Sequence, residues 1–211
     1  MTTTDDGFLR HKHLFTFLNF WDENHDGILS WEDFRLLAEK FAKIQRRGRQ
    51  PEKEVVERWQ SIFEKWWNEL TSYADSNKDK YVEFHEWLDF FKQLGKNTKS
   101  FGELPEFLKI YLQLFFLCCD ANKDGLFCIK DYKKYIANLK MDTSKAQEHF
   151  DYMLIDEDRT NNENALNSDR FKATVYDFWV SMDPNSKGKY ICGPFDSIPI
   201  EELEKRVKKK P

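Results

Sequence analysis

Three stretches of the chain place oxygen-bearing side chains at matching positions of a twelve-residue window. Each window begins Asp-x-Asn-x-Asp, has an apolar residue at its eighth position and ends on a carboxylate; the windows are residues 22–33, 75–86 and 120–131. A hard cation such as Ca²⁺ takes about seven oxygen ligands at roughly 2.3–2.6 Å. The spacing therefore predicts three loops that can each close around one divalent cation.

The candidate ligands follow from the EF-hand loop pattern, which uses positions one, three, five, nine and twelve and the backbone carbonyl of position seven. The first window supplies Asp22, Asn24, Asp26, the carbonyl of Ile28, Ser30 and Asp33. The second supplies Asp75, Asn77, Asp79, the carbonyl of Tyr81, Glu83 and Glu86. The third supplies Asp120, Asn122, Asp124, the carbonyl of Leu126 and Asp131. A thiol is a poor ligand for a hard ion, so we expect a water to take the ninth position beside Cys128.

Two departures from the pattern affect the predicted sites. The sixth position needs a left-handed backbone and is Gly27 or Gly125 in two windows, but Lys80 in the second. A non-glycine residue there costs roughly 1–2 kcal/mol, which the four carboxylates of that window can offset. The first and third windows end in Asp, which is one methylene shorter than Glu, and this favours competition by Mg²⁺ at those two sites.

A fourth stretch, residues 156–170, has the outline of a helix–loop–helix but lacks its metal chemistry. It keeps the apolar Leu166 before a helical pattern, yet it is 15 residues long and places Arg170 where a carboxylate is required. We interpret it as a degenerate hand, retained because EF-hands pair through the eighth position and the third needs a mate. A similar opening at residues 183–189 lacks the closing acid and predicts a turn.

The elements that must position these loops are helices, since aromatic and aliphatic residues recur at spacings of three and four on both sides of each window. The pattern predicts an all-α fold of four EF-hand units in two packed pairs. We place the N-terminal pair at residues 8–95, the C-terminal pair at 101–182 and a C-terminal tail at 183–211. The aromatic residues are interpreted as packed core.

Composition excludes several functional classes. The 211 residues carry 33 Lys+Arg against 37 Asp+Glu, a formal charge of −4, which is unlike a strongly basic nucleic-acid-binding domain. No apolar run reaches the ~20 residues of a membrane span, and the polar N-terminus is unlike a secretory signal. Four cysteines without a CxxC pair indicate reduced thiols. We therefore expect a cytoplasmic protein, monomeric, with no nucleic-acid partner; the sequence does not identify a protein partner.

Catalytic motifs are missing from the sequence. The five histidines form no HExxH pair, and neither GxSxG nor the phosphate-binding GxxxxGK[ST] occurs. His25 and His85 fall inside the windows at non-ligand positions and are expected to be exposed. The sequence predicts a binding protein rather than an enzyme.

Three intact windows followed by a degenerate fourth, together with the ending from Phe178-Trp179 through Gly188-Lys189 to Gly193-Pro194-Phe195, resemble the invertebrate sarcoplasmic calcium-binding proteins, and among them calexcitin in particular. The resemblance covers roughly residues 8–195. It implies a cytosolic, all-helical protein with two EF-hand pairs packed face to face. The GTP binding discussed for calexcitins does not carry over, for want of a nucleotide motif, and the lysine-rich end beyond Glu201 departs from the family.

Three functions follow from this reading. Calcium sensors expose a flexible, Met-rich groove, whereas this chain has four Met against 19 Phe, seven Trp and eight Tyr. The composition favours a calcium buffer, with a calexcitin-like neuronal sensor as the alternative. A calcium-triggered photoprotein is a remote alternative, because those proteins lose the second loop and this chain's histidines are expected in loops and at the N-terminus rather than in core helices.

Overall fold

Ten helices and two short strands run through the part of the chain that the computed structural model describes, residues 5–46, 48–74 and 78–207. The helices are α1 Asp5–Thr16, α2 Trp31–Gln45, α3 Lys53–Ala74, α4 Phe84–Asn97, α5 Glu106–Cys119, α6 Ile129–Asn138, α7 Ala146–Met153, α8 Asp156–Asn161, α9 Ser168–Val180 and α10 Ile200–Glu204; the strands are β1 Leu126–Phe127 and β2 Leu166–Asn167. A π-helical turn, Phe17–Trp21, continues α1, and 3₁₀ turns span Phe101–Glu103 and Phe195–Ser197. The prediction of an all-α fold is confirmed.

The twelfth residue of each window caps the first turn of the exiting helix. The carboxylates of Asp33, Glu86 and Asp131 accept the backbone N–H three residues earlier, at distances of 2.9, 2.9 and 3.0 Å. This is half of a capping box, which satisfies one of the N–H groups that a helix start leaves without an intrahelical partner. The same carboxylate therefore begins a helix and closes a loop.

The loops pair through their eighth residues. Leu29 and Val82 exchange two backbone hydrogen bonds, of 3.0 Å and 2.9 Å, in an antiparallel bridge. Strands β1 and β2 are antiparallel, with Phe127 opposite Leu166. The prediction that the fourth unit serves as the mate of the third is confirmed.

One aromatic core joins the helices of both predicted pairs. The ring of Trp66 in α3 lies 4.6 Å from that of Trp21, 4.7 Å from Tyr111 in α5 and 5.9 Å from Trp179 in α9. These side chains are almost completely buried. The interpretation of the aromatic residues as packed core is confirmed for these rings, whereas Tyr73 and Tyr81 are exposed. The core continues across the connection between the two pairs.

The segment after α9 packs back on the rest of the molecule. Residues 183–189 form the expected turn, in which the Ser186 N–H donates to the Asp183 carbonyl at 2.9 Å. Further along, the Tyr132 hydroxyl of α6 donates to the Tyr190 carbonyl at 2.7 Å, and Arg10 of α1 pairs with Glu204. The predicted tail is thus a docked segment as far as residue 207. No helix in the described ranges is long and apolar enough to cross a membrane.

Candidate functional site

The first loop turns its side-chain oxygens inward. The carboxylate of Asp22 accepts the N–H of Asp26 at 3.0 Å and that of Gly27 at 2.9 Å. The amide oxygen of Asn24 accepts the Asp26 N–H at 2.9 Å, and Asp26 in turn accepts the Ile28 N–H at 3.1 Å. The first, third and fifth residues of the window therefore converge on one face of the loop backbone.

Asp33 closes this loop. One of its oxygens accepts the Asn24 N–H at 3.2 Å, while the other accepts the N–H and hydroxyl of Ser30 at 2.9 and 3.0 Å. Asp22 and Asp33 are 2% and 0% exposed. Burial raises the pKa of both carboxyls, although these backbone hydrogen bonds oppose the shift. The structure thus brings the predicted residues Asp22, Asn24, Asp26, Ser30 and Asp33 together around one loop.

The third loop repeats the arrangement at its start. The carboxylate of Asp120 accepts the N–H groups of Lys123 and Gly125 at 2.7 and 2.9 Å. Asn122 accepts the Asp124 N–H at 3.2 Å, and Asp124 accepts the Leu126 N–H at 2.9 Å. The first, third and fifth residues accept loop N–H groups as in the first loop, except that Asp120 accepts the N–H of the fourth position where Asp22 accepts that of the fifth.

Asp131 closes the third loop in the same way. It accepts the N–H of Ala121 at 3.2 Å and that of Cys128 at 3.0 Å. The Cys128 thiol also donates to Asp131 at 3.0 Å, and burial is the first cause of its raised pKa. Cys128 therefore contacts a predicted ligand through a hydrogen bond of its protonated thiol, where Ser30 uses a hydroxyl in the first loop.

The second loop lies partly outside the described residues, which omit Asp75 and Asn77. In the described part, Asp79 accepts the Tyr81 N–H at 3.0 Å, and Glu86 accepts the Glu83 N–H at 2.9 Å. His85 lies on the surface, 3.2 Å from the Glu83 carboxylate. The fifth and twelfth residues of this loop therefore accept the same backbone N–H groups, those of positions seven and nine, as in the other two loops.

A left-handed backbone recurs at two positions of every window. The expected strain at Lys80 is present, since its φ is 67°, against 83° at both Gly27 and Gly125. The fourth positions are also left-handed, which was not predicted from the sequence. They are His25, Lys78 and Lys123, with φ of 59°, 58° and 64°. Nothing in the residue types at these fourth positions indicates the conformation, because none is glycine or asparagine.

The buried carboxylates of the first and third loops lack a cationic side-chain partner. In the described ranges no Lys, Arg or His forms an ion pair with Asp22, Asp33, Asp120 or Asp131, and none of the four is more than 5% exposed. Burying a carboxylate without a counter-charge costs several kcal/mol. Their hard oxygens fit a divalent cation. Among the described residues, no three His, Cys, Asp or Glu side chains form a cluster that could hold a metal ion. The carboxylates of Asp22 and Asp120 accept loop N–H groups instead.

The fourth unit has its own cation. Arg170, at the closing position, places Nε 3.0 Å from Oδ1 of Asp158 and Nη2 3.0 Å from Oδ2. Asp158 is fully buried and also accepts the Ile155 N–H at 3.0 Å. It lies in α8, a short helix that replaces the first half of the expected loop. The sequence pattern indicates Arg170 at the closing position but does not indicate Asp158 as its partner.

Two histidines contradict the expectation that none lies in a core helix. His25 and His85 are exposed as predicted, but His13 in α1 and His149 in α7 are 1% and 4% exposed. The His13 Nε2 donates to the Trp179 carbonyl at 2.8 Å, and burial together with Lys12 lowers the pKa of His13 to about 3. The helical spacing could have predicted this burial, because His13 lies four residues after Leu9 and four before Phe17, on the apolar face of α1.

Comparisons of sequence agree with the resemblance stated above, although no family model matches the chain. It is 28% identical over 134 residues to sarcoplasmic calcium-binding proteins I, III and IV of Branchiostoma lanceolatum, covering 64% of this chain and 71% of that one. It is 23% identical over 196 residues to calexcitin-1 of Caenorhabditis elegans, covering 90% and 89%.

Comparisons of structure indicate the same fold. An amphioxus sarcoplasmic calcium-binding protein matches with a TM-score of 0.72 at 22% identity, covering 89% of this chain and 97% of that one. The photoprotein clytin matches with a TM-score of 0.62 at 20% identity, covering 90% and 95%. The chain is therefore similar to sarcoplasmic calcium-binding proteins in sequence and in fold.

Proposed function

We propose that this protein binds calcium ions through loops 22–33, 75–86 and 120–131 and acts as an intracellular calcium buffer like the sarcoplasmic calcium-binding proteins it resembles. The observation that carries the proposal is the contrast between the loops. Buried carboxylates at the ends of the first and third windows have no cationic partner in the described chain, whereas the buried carboxylate of the fourth unit pairs with Arg170.

The proposed ligands are the oxygens at the pattern positions of the three windows. In the first loop, Asp22, Asn24, Asp26 and Ser30 would supply side-chain oxygens, Ile28 its carbonyl and Asp33 the closing carboxylate. A bound ion would supply the positive charge that the buried carboxylates lack. The second and third loops are assigned the corresponding residues named above.

Magnesium is proposed as a competitor at the first and third loops. Both close with Asp, whereas the second closes with Glu86. The shorter side chain makes bidentate closure harder, and Mg²⁺ demands near-octahedral geometry with fewer oxygens. A resting cell rich in Mg²⁺ would then load these two loops before calcium rises.

The buffer function is favoured over the sensor function by the continuity of the core. Trp66 contacts Trp21, Tyr111 and Trp179, so both pairs share one packed interior rather than two separable grooves. Opening either pair would expose these rings. We expect only a small calcium-dependent change in the fluorescence of the dye ANS; a large rise would favour the calexcitin-like sensor instead.

One observation favours the photoprotein alternative and another opposes it. A histidine in a core helix was expected of a photoprotein but not of this chain, and the buried His13 of α1 supplies one. The cavity beside it, however, measures only about 10 Å³, whereas pockets for small organic ligands occupy roughly 300–1,000 Å³. A reconstituted protein without a visible chromophore would dispose of this alternative.

The remaining assignments accompany the buffer proposal. All four cysteines are free thiols, which suits a reducing cytoplasm. We assign the protein a binding role rather than a catalytic one, and a monomeric state, because its aromatic residues pack within a single chain.

Isothermal titration calorimetry with single-loop variants tests the proposal. Asp22→Ala, Asp75→Ala and Asp120→Ala each remove the first ligand of one loop, so each should lose one calcium ion from the stoichiometry. Asp156→Ala changes the exposed start of the degenerate unit and is the matched control. An unchanged count in any of the first three variants would contradict the assignment of that loop.

A further inference from the structure

A pocket of about 410 Å³ lies between the end of α2, the end of α5 and α6, beside the third loop. Its volume is within the range of roughly 300–1,000 Å³ found for small-molecule pockets. Its apolar lining comes from Phe41, Ile44, Phe115, Leu117 and Leu139. Leu117 is 47% exposed at the edge of the pocket, so apolar surface continues outward from it.

Lysines surround this apolar lining. Lys43, Lys123 and Lys134 line the pocket, are exposed, and have no ion pair within the described ranges. Lys40 also lines the pocket, but it pairs with Glu23. The rim of the pocket therefore offers three positive charges that are free to meet a ligand.

Two acidic residues of the pocket direct hydrogen-bonding oxygens to the backbone of the third loop. Asp120 and Asp131 belong to its lining. Their oxygens, however, accept N–H groups of the third loop, those of Gly125 and Cys128 among them. The three unpaired lysines outnumber these two aspartates, and the balance of charge favours an anion.

We propose that this pocket binds a small amphipathic anion, a carboxylate attached to an apolar chain. The chain lies along Phe41, Phe115 and Leu117, and the carboxylate meets Lys43 and Lys134 at the rim. An apolar pocket with a few convergent charges is the common form of a small-molecule site. The assignment does not depend on calcium binding.

Calorimetry with dodecanoate as the probe tests it, using the full chain in the presence of a calcium chelator. We expect saturable binding at one site per chain. Dodecyltrimethylammonium has the same chain and the opposite charge, and acetate has the charge without the chain; neither should bind saturably. Absence of saturable dodecanoate binding, or equal binding of the cationic amphiphile, would overturn the proposal.

Matched variants locate the site. Leu117→Glu places an anion at the edge of the pocket and should weaken dodecanoate binding by about tenfold or more. Ile110 lies seven residues before Leu117 on α5, is 38% exposed and is outside the pocket. Ile110→Glu should therefore leave the affinity for dodecanoate unchanged. Lys134→Glu should weaken binding where its exposed neighbour Lys133→Glu does not. Equal effects within either pair would overturn the location.

All four substitutions are at exposed positions, so thermal unfolding should show each variant folded. The calcium stoichiometry of these variants is measured in parallel without dodecanoate. Absence of dodecanoate binding to the unmodified chain, with an intact calcium count, would overturn this inference and leave the calcium proposal standing. Weaker dodecanoate binding in Leu117→Glu and Lys134→Glu, with an intact calcium count, would show that these substitutions act on the pocket and not on the calcium loops.

Discussion

The guanidinium of Arg170 forms a two-point contact with the buried carboxylate of Asp158, with N–O distances of 3.0 Å at both Nε and Nη2. Arg170 occupies the closing position at which the other loops carry an acid. The fourth unit thus neutralises a buried carboxylate with a side chain of its own, and it keeps the strand pairing of Leu166 with Phe127.

Arg170→Ala should destabilise the protein strongly. The substitution leaves Asp158 buried without a partner, which costs about 3–5 kcal/mol in the free energy of unfolding. Arg35→Ala is the control, since Arg35 forms partly exposed pairs with Glu32 and Glu39, and such surface pairs contribute little to stability because water screens them. Urea unfolding at pH 7 measures both. A similar loss of unfolding free energy in the two variants would show that the Arg170–Asp158 pair stabilises the fold no more than an exposed ion pair does.

Lys80→Gly should stabilise the metal-free protein. The φ of Lys80 is 67°, a conformation that costs a residue with a Cβ roughly 1–2 kcal/mol. Glycine avoids this strain, but it loses more conformational entropy on folding, so the net gain in stability is smaller. We compare it with Lys80→Ala, which removes the same side-chain contacts but keeps the Cβ. The glycine variant should unfold at the higher urea concentration; an alanine variant of equal or greater stability would argue against strain.

Stability should fall in acid because of His13. Its folded pKa of about 3 lies below the ordinary 6.5, so the unfolded chain takes up the proton first as pH falls. The contribution of neutral His13 is therefore complete above pH 6.5 and is lost progressively toward pH 3. His13→Gln keeps an N–H donor for the Trp179 carbonyl and does not titrate. Its unfolding free energy should depend less on pH across this window; identical slopes would contradict the argument.

A cation in the third loop should strengthen dodecanoate binding in the adjacent pocket. Asp120 and Asp131 contribute to both, and an ion would cancel their charge, which repels the carboxylate. Binding linkage is reciprocal, so dodecanoate should raise calcium affinity by the same factor. Calorimetry measures both directions, with Asp120→Ala as the control that abolishes the effect of calcium. An unchanged dodecanoate affinity in the presence of calcium, or an effect that persists in the control, would contradict the prediction.

The fold could be anticipated because the repeat and the helical spacing are local signals. The loop ligands could be proposed for the same reason, since Asp22 through Asp33 lie within one window. The partner of Arg170 could not, because Asp158 lies twelve residues earlier in a helix inserted where a loop was expected. The docking of Tyr190 against Tyr132 depends on contacts between distant segments, which sequence periodicity does not report.

Native mass spectrometry of the full chain at increasing calcium tests the central claim most directly, because it counts bound ions. The account predicts saturation at three calcium ions per chain, and two for Asp75→Ala. A fourth specific ion would contradict the pairing of Arg170 with Asp158 as a substitute for metal. Fewer than three in the unmodified chain would contradict the assignment of the loops.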